Sequence, residues 1–235
     1  MTKKSNLEII VPVYNESYGL YENIMTISSY LSPKVNNIIT LIDDGSTDST
    51  RREIEALSAG NGYIKGIYLA KHAGKEHAIY TGLENSSADA CMVMDCDLQH
   101  PPRLIPVFVD KWLEGYMVVE GIKTSRGKES YFNKTMASAF SKIIKKFFDI
   151  NLYNSTDYKL IDRSVTDKLL SDDNSCKFFR GAVSSLNLKS CPIYFDVEPR
   201  AYGSSKFGLH SKIKLASDAF KTLSKKNNTE FNKMH

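Results

Sequence analysis

Two aspartates, Asp95 and Asp97, follow a short apolar run at residues 90–94. Such a run is typical of a buried strand, and a local bend after it lets both carboxylates point toward one spot. Carboxylates held that close repel each other, and a hard divalent cation with oxygen ligands relieves the repulsion. Pro101 and Pro102 end the strand and begin a helix, so an acidic pair that caps this helix is the alternative.

Short apolar runs alternate with helix-like stretches through the first 121 residues. The predicted strands lie near 7–13, 38–41, 63–69, 90–94 and 117–121, and the predicted helices near 17–31, 47–58, 75–86 and 101–114. This alternation predicts a parallel sheet that is covered by helices on both faces. In open sheets of this kind, ligands bind at the carboxyl ends of the strands. Glu16, Asp44, Lys71 and the pair Asp95/Asp97 all follow such ends, so we expect them to share one site.

The pattern changes after residue 122. A basic loop at 122–128 precedes a predicted helix at 131–148, whose apolar stripe we interpret as core packing or a partner surface. The remaining predicted elements are a strand at 157–162, helices at 164–171 and 177–186, a half-buried strand at 193–197, a loop at 200–206 and a helix at 209–224. We expect one domain over residues 1–224 and a polar tail at 225–235.

Composition narrows the function classes. A hydrophobic content of 42% and a charged content of 25% are ordinary for a globular protein with a full core. The four cysteines form no C-x-x-C pair, which disfavours zinc and a disulfide framework and favours a reducing cytoplasm. Residues 1–6 are polar, and no apolar run approaches the ~20 residues of a membrane-spanning helix, so we expect neither a signal peptide nor a span. His72 and His77 are interpreted as surface or core histidines.

Five motifs of this chain resemble glycosyltransferase family 2, with the GT-A fold, in their order and spacing. They are V-P-V-Y-N-E (11–16), D-D-G-S-T-D (43–48), D-C-D-L-Q-H-P-P (95–102), D-Y-K-L-I-D-R (157–163) and R-A-Y-G-S-S-K (200–206). The last two, with L-Q-x-P-P, are similar to the polyprenyl-phosphate and dolichyl-phosphate sugar transferases. The resemblance covers about residues 7–220. It implies a Rossmann-like, mostly parallel central sheet flanked by helices, and the residue pattern of 209–224 adds a C-terminal amphipathic helix to that expectation.

The resemblance also implies roles for the matched residues. Positions that hold the base and ribose of a nucleotide-sugar are matched by Pro12, Tyr14, Glu16 and Asp44. The site for Mg²⁺ or Mn²⁺, which grips the donor diphosphate, is matched by Asp95, Asp97 and Gln99. A loop that closes over the diphosphate is matched by Arg200, Ser205 and Lys206, and the acceptor phosphate site by Lys123, Arg126 and Lys134. A leaving diphosphate gathers negative charge, so the cation favours the transition state, and Asp97 is counted with Asp157 as a catalytic residue.

Asp157 matches the aspartate that inverting GT-A enzymes place to serve as a base. A phosphate monoester with a second pKa near ~6 is largely ionised at neutral pH, so a phosphate acceptor needs cations to hold it rather than a base. We therefore favour orientation of the donor or acceptor as the role of Asp157, with general base as the lesser role. A strand-end salt bridge to Arg163 is the structural alternative.

The C-terminal region combines apolar and basic residues. Residues 200–235 hold eight Lys/Arg against two Asp/Glu, which suggests an anionic partner or else a solvated helix face. In the predicted helix 209–224, an apolar stripe is flanked by lysines, as in helices that lie on anionic lipid. Docking on the enzyme body or on a small membrane subunit is the alternative. Many members of the resembled family continue into transmembrane helices after the position of Phe220.

We therefore predict an inverting, metal-dependent enzyme that moves a hexose from a UDP- or GDP-sugar to polyprenyl phosphate, for cell-surface glycan or glycoprotein synthesis. The expected partners are the nucleotide-sugar, the lipid, and the membrane surface or a small membrane subunit, with no nucleic acid, on the cytoplasmic face of the membrane. One alternative uses a glycan or protein hydroxyl as acceptor, with Asp157 as a true base. Two further alternatives are a sugar nucleotidyltransferase and an inactive subunit that only binds nucleotide. A nucleotidyltransferase would require a Gly-rich loop after the first strand.

Overall fold

A computed structural model describes residues 4–124, 154–171 and 178–197 of the chain. Seven strands make up one sheet: β1 Asn6–Val13, β2 Asn36–Asp43, β3 Ile64–Tyr68, β4 Ala90–Val93, β5 Val118–Lys123, β6 Ser155–Asp162 and β7 Ser190–Phe195. Within these three ranges six helices accompany them: α1 Leu20–Ser29, α2 Thr50–Gly60, α3 Lys75–Asn85, α4 Ile105–Leu113, α5 Arg163–Ser171 and α6 Phe179–Ser185. A 3₁₀ turn, Pro102–Leu104, leads into α4.

The strands lie in the order β3-β2-β1-β4-β6-β5-β7. β1 pairs parallel with β2 and β4, β2 with β3, and β5 with β7, whereas β6 runs antiparallel to both β4 and β5. The carboxyl ends of the other six strands therefore meet the amino end of β6 along one side of the sheet, which we call the carboxyl edge. The predicted GT-A, mostly parallel fold is confirmed, and β6 is the strand whose direction differs.

Helices cover both faces of the sheet because the strands are apolar on both faces. In β1, Ile9 and Val11 pack with residues of α1, α2 and α4 in one core cluster. Ile10, which points the other way along the same strand, packs with residues of α3, α5 and α6 in a second cluster. The sheet is thus buried on both faces, and its carboxyl edge is where the strands lead into loops.

The observed elements agree with the predicted ones to within a few residues wherever both can be compared. The predicted helices 131–148 and 209–224, the loop 200–206 and the tail 225–235 lie outside the described residues, so the C-terminal amphipathic helix and the domain limits stay predictions. Among the three described ranges, no helix is both long and apolar enough to cross a bilayer.

Candidate active site

The carboxyl edge brings together the predicted site residues that the structure describes. Pro12, Tyr14 and Glu16 lie at and after the end of β1, and Asp44 follows β2 directly. The segment that contains Asp95, Asp97 and Gln99 follows β4, while Lys123 ends β5 and Asp157 lies near the start of β6. Arg126, Lys134, Arg200, Ser205 and Lys206 lie outside the described residues, so their roles stay predictions.

Asp44 is buried beneath the loop that leads into α3. Its Oδ1 accepts the backbone N–H of Ala73 at 2.8 Å, and its Oδ2 accepts that of Gly74 at 2.9 Å. His72 Nδ1 lies 2.9 Å from Asp44 Oδ2. Asp44 therefore organises the Ala73–Gly74 turn at the beginning of α3, in addition to the predicted contact with base or ribose, which stays a prediction.

Tyr14 and His72 form an aromatic surface at the same edge. Their ring centroids are 4.0 Å apart with an interplanar angle of 25°. His72 is half exposed, so an outer ring face is open to solvent, and a flat nucleobase stacks readily on such a surface. His72 is a surface histidine, as interpreted from the sequence, but it is also part of this site.

The loop after β2 and the loop after β3 are in close contact at Gly45. Gly45 has a φ of 68°, and a Cβ built there would lie 2.4 Å from the carbonyl carbon of Lys71. Only glycine fits such a position, because any other side chain would meet backbone that cannot move aside. The motif D-D-G at 43–45 therefore holds the loop 71–74 against the sheet.

A second set of hydrogen bonds ties the loop after β1 to the motif that precedes α2. The N–H of Asn15, which has a φ of 53°, donates to Ser46 Oγ at 2.9 Å, and Asn15 Oδ1 accepts the N–H of Thr47 at 2.8 Å. The N–H of Glu16 donates to Thr50 Oγ1 at 2.9 Å. These bonds keep Glu16 at the carboxyl edge, close to the predicted ribose position.

A string of alternating charges crosses the centre of the carboxyl edge. Lys75 Nζ lies 2.6 Å from Asp95 Oδ1 and 2.8 Å from Asp157 Oδ2, so one ammonium bridges two carboxylates. Arg180 Nε lies 2.8 Å from the other oxygen of Asp157, Oδ1. Arg180 also donates from Nη1 to the carbonyl of Ser155 at 3.2 Å, which anchors it beside β6.

These neighbours set the charge state of Asp157. Burial alone would raise the pKa of this carboxyl, but Arg180 and Lys75 hold it far below its usual range. The salt bridge that was the structural alternative for Asp157 is therefore present, but its partners are Lys75 and Arg180 rather than Arg163. Arg163 lies at the opposite end of β6, where it pairs with Asp167 at 2.7 Å.

Glu76 connects α3 to α6 beneath this string. Its Oε2 accepts the N–H of Phe179, the first residue of α6, at 2.8 Å. Burial, and after it the charge of Asp157, raises the pKa of Glu76 to about 7. Glu76 therefore holds the helix that carries Arg180 and titrates near neutral pH.

His100 supports the backbone of the acidic segment. Its Nδ1 accepts the N–H of Asp95 at 3.1 Å, and its ring stacks on Tyr158 with centroids 4.9 Å apart. Burial lowers the pKa of His100 to about 4, so the ring is neutral at physiological pH. The Tyr158 hydroxyl in turn donates to the carbonyl of Pro101 at 3.0 Å.

The acidic segment has donors that suit a hard divalent cation. Asp97 is buried and its Oδ1 accepts the N–H of Gln99 at 3.1 Å, across Leu98 with a φ of 60°. Within the described ranges no three His, Cys, Asp or Glu side chains gather as a ready-made metal cluster. Mg²⁺ needs none, because it is commonly held by one or two carboxylates together with substrate phosphates and water. Asp95 and Asp97 therefore fit a cation that is completed by a diphosphate.

Sequence reasoning assigned no role to Lys75, Glu76 or Arg180. Lys75 and Glu76 are the first two residues of α3, which begins at the carboxyl edge. The predicted start of this helix therefore could have indicated that both residues lie at the site. A lysine in the first turn of a helix opposes the helix dipole, which suggests a nearby anion. Nothing in the sequence around Arg180 indicates its pairing with Asp157, because tertiary packing of α6 brings the two together.

Comparisons with known proteins find glycosyltransferases. A family model described as "Glycosyl transferase family 2" matches residues 8–175. An uncharacterized glycosyltransferase of Bacillus subtilis is 31% identical over 228 residues, which cover 96% of this chain and 71% of the relative. An undecaprenyl-phosphate 4-deoxy-4-formamido-L-arabinose transferase of Aeromonas hydrophila is 28% identical, over 90% of this chain and 66% of the relative. The chain thus spans about two thirds of the length of these relatives.

A solved structure shares the fold. Glucosyl-3-phosphoglycerate synthase from Mycobacterium tuberculosis, in complex with Mn²⁺, UDP and glucosyl-3-phosphoglycerate, matches with a TM-score of 0.65. The match covers 93% of this chain and 78% of that protein at 18% identity. At that identity the likeness concerns the fold alone.

Proposed function

Because this chain belongs to glycosyl transferase family 2, we propose that it transfers a hexose from a nucleotide-sugar to polyprenyl phosphate, with inversion and with the help of a divalent cation. The observation that carries the acceptor class is the position of Asp157 between Lys75 and Arg180. The undecaprenyl-phosphate transferase among its relatives supports the same class.

Asp157 is placed to orient groups and is poorly suited to accept a proton. A general base works best with a pKa near the operating pH, whereas two cations hold the pKa of Asp157 far below that range. Protonation would also weaken an ion pair on whichever oxygen took the proton. A hydroxyl acceptor needs such a base, but a phosphate that arrives ionised does not, so the phosphate acceptor fits this site better.

On the donor side, the chain's residues bind and orient the nucleotide-sugar. Tyr14 and His72 offer a stacking surface for the base, and Asp44 and Glu16 lie beside it for base or ribose. A divalent cation held by Asp95 and Asp97, with Gln99 nearby, would neutralise charge on the leaving diphosphate. His100 stays neutral and keeps the backbone of Asp95 in place.

On the acceptor side, cations hold the phosphate without protonating it. Lys123 ends β5 at the carboxyl edge, where its N–H donates to the carbonyl of Asn154 at 3.1 Å. We propose that Lys123 acts together with Arg126 and Lys134 on the acceptor phosphate. Arg200, Ser205 and Lys206 would close over the donor diphosphate, in keeping with the resemblance of their motif.

The lipid acceptor requires contact with a membrane, so we propose a peripheral protein on the inner face, held by the region 209–224 or by a small membrane subunit. Sedimentation with anionic liposomes tests direct binding. The full chain should pellet at low salt and be released at high salt. Protein that stays in the supernatant at low salt would contradict direct binding and favour a protein subunit.

The proposed function is tested by incubating the chain with bacterial membranes and a panel of radiolabelled UDP- and GDP-sugars, followed by organic extraction. Label should enter the organic phase for one donor, and mild acid should release it, as expected of a sugar linked to a lipid phosphate. Asp97→Asn serves as the inactive control. Label that appears only in polymeric or aqueous material, and never in the organic phase, would overturn the lipid-phosphate acceptor.

A further inference from the structure

Lys75 forms an ion pair with Asp95, one of the proposed metal ligands. Its Nζ lies 2.6 Å from Asp95 Oδ1, so a divalent cation that bound the same oxygen would lie close to the ammonium and be repelled by it. We propose that Lys75 is a positioning residue that neutralises Asp95 in the donor-free protein and competes with the divalent cation for it. This inference rests on the proposed function, because it concerns the same donor site.

The backbone holds Lys75 in this position. Asp44 accepts both N–H groups that precede Lys75, those of Ala73 and Gly74, and Gly45 keeps the same loop against the sheet. Lys75 is then the first residue of α3, where a positive charge is disfavoured by the helix dipole. Its placement there is therefore stabilised by the two carboxylates rather than by the helix.

The two carboxylates differ in how easily they exchange partners. Asp157 is 6% exposed and keeps a second cation, Arg180, on its other oxygen. Asp95 is 30% exposed, and its second oxygen has only a distant neighbour in His100, whose Nε2 lies 3.9 Å away. Asp95 is therefore the partner that can turn toward an incoming cation, while Lys75 stays with Asp157.

This arrangement couples metal binding to diphosphate binding. A cation that binds alone must lie beside the ammonium of Lys75, and the two like charges repel. A diphosphate adds negative charge that offsets both cations, so it favours the metal-bound state, and the coupling is reciprocal. Lys75 thereby keeps the free enzyme from holding a metal ion tightly in the absence of donor.

The test is the affinity for Mn²⁺ alone, measured by electron paramagnetic resonance of free Mn²⁺ with the full chain. Lys75→Met and Lys75→Gln should each bind Mn²⁺ about tenfold more tightly than the wild type, because both remove the competing charge. The glutamine can still donate hydrogen bonds to both carboxylates, so it serves as the variant with the smaller structural change. Lys75→Arg keeps the positive charge and should bind Mn²⁺ with the wild-type affinity.

Two controls separate this inference from the proposed function. Lys65→Met removes a charge from an exposed lysine of β3, which has no role in the site, and should change the Mn²⁺ affinity less than twofold. Asp97→Asn should abolish the tight binding in the Lys75→Gln background. Unchanged or weaker Mn²⁺ binding in Lys75→Gln, with binding still sensitive to Asp97→Asn, would overturn the role of Lys75 and leave the metal site standing. Mn²⁺ binding that is insensitive to Asp97→Asn would overturn both.

Discussion

Replacing Asp157 by asparagine should separate the structural and chemical roles of this carboxylate. The change leaves Lys75 and Arg180 without the anion between them. Removing one partner of a buried ion pair typically costs 3–5 kcal/mol, and we expect about 3 kcal/mol here. We take the lower end of this energy range because Lys75 keeps its ion pair with Asp95 and because the Arg180 side chain is 30% exposed. For a domain of roughly 200 residues, that corresponds to a fall in melting temperature of about 6–12 °C.

Transfer activity should survive this substitution in part. With an ionised phosphate acceptor, asparagine can still orient groups, and we expect a loss of less than about 100-fold, whereas loss of a true base costs roughly 10²–10⁴-fold. Rates should be measured well below the melting temperature of the variant, together with donor affinity. Asp167→Asn, which removes the same charge from the exposed pair with Arg163, is the matched control for stability. A melting temperature equal to that control, or a loss near 10⁴-fold with donor binding unchanged, would refute the reasoning.

Three further changes test other parts of the site. Asp97→Asn should nearly abolish turnover without unfolding the protein, and wild-type activity that persists in excess EDTA would contradict a metal-dependent reaction. Glu76 has a pKa raised from 4.5 to about 7, so its ionisation destabilises the folded state as the pH rises through that window. Because the lowered pKa of His100, about 4, makes stability rise with pH in both proteins, the titration of Glu76 is visible in the comparison: melting curves should show Glu76→Gln gaining stability relative to the wild type as the pH rises from about 5 to 7. Parallel profiles would argue against this titration. Gly45→Ala should lower the free energy of unfolding by more than about 1 kcal/mol, because Gly45 has a positive φ and a Cβ there would meet the backbone of Lys71. Gly62→Ala is the control: it has open space around it and should lower the same quantity by less than about 0.5 kcal/mol in the same melting experiments.

The sequence was sufficient to predict the sheet and its functional edge. Largely apolar runs such as residues 7–13 and 90–94 indicate buried strands, and the alternation with helices requires their carboxyl ends to lie on one side. That rule placed Glu16, Asp44 and the acidic segment together without any contact being known. The direction of β6 was not predictable in the same way, because its residues are buried on both faces of the sheet and such a strand can run in either direction.

The charge network around Asp157 depends on packing that short-range patterns do not contain. Lys75 precedes Asp157 by 82 residues, and Arg180 follows it on the short helix α6. Their meeting requires β6 to lie beside β4 with its amino end at the carboxyl edge, and requires Glu76 to hold the start of α6. The same is true of Asp44. Its motif predicted a contact with the ligand, but not the hydrogen bonds that it accepts from the backbone of Ala73 and Gly74.

The most direct test of the central claim compares two acceptors that differ only in the phosphate. The purified chain, a radiolabelled nucleotide-sugar that it accepts and Mn²⁺ are incubated in detergent with either polyprenyl phosphate or the matching unphosphorylated polyprenol. Because Asp157 is held as an ion-paired carboxylate, we predict transfer to the phosphate and no detectable transfer to the alcohol. Transfer to the alcohol at a comparable rate would show that the site activates a hydroxyl, and it would contradict the account.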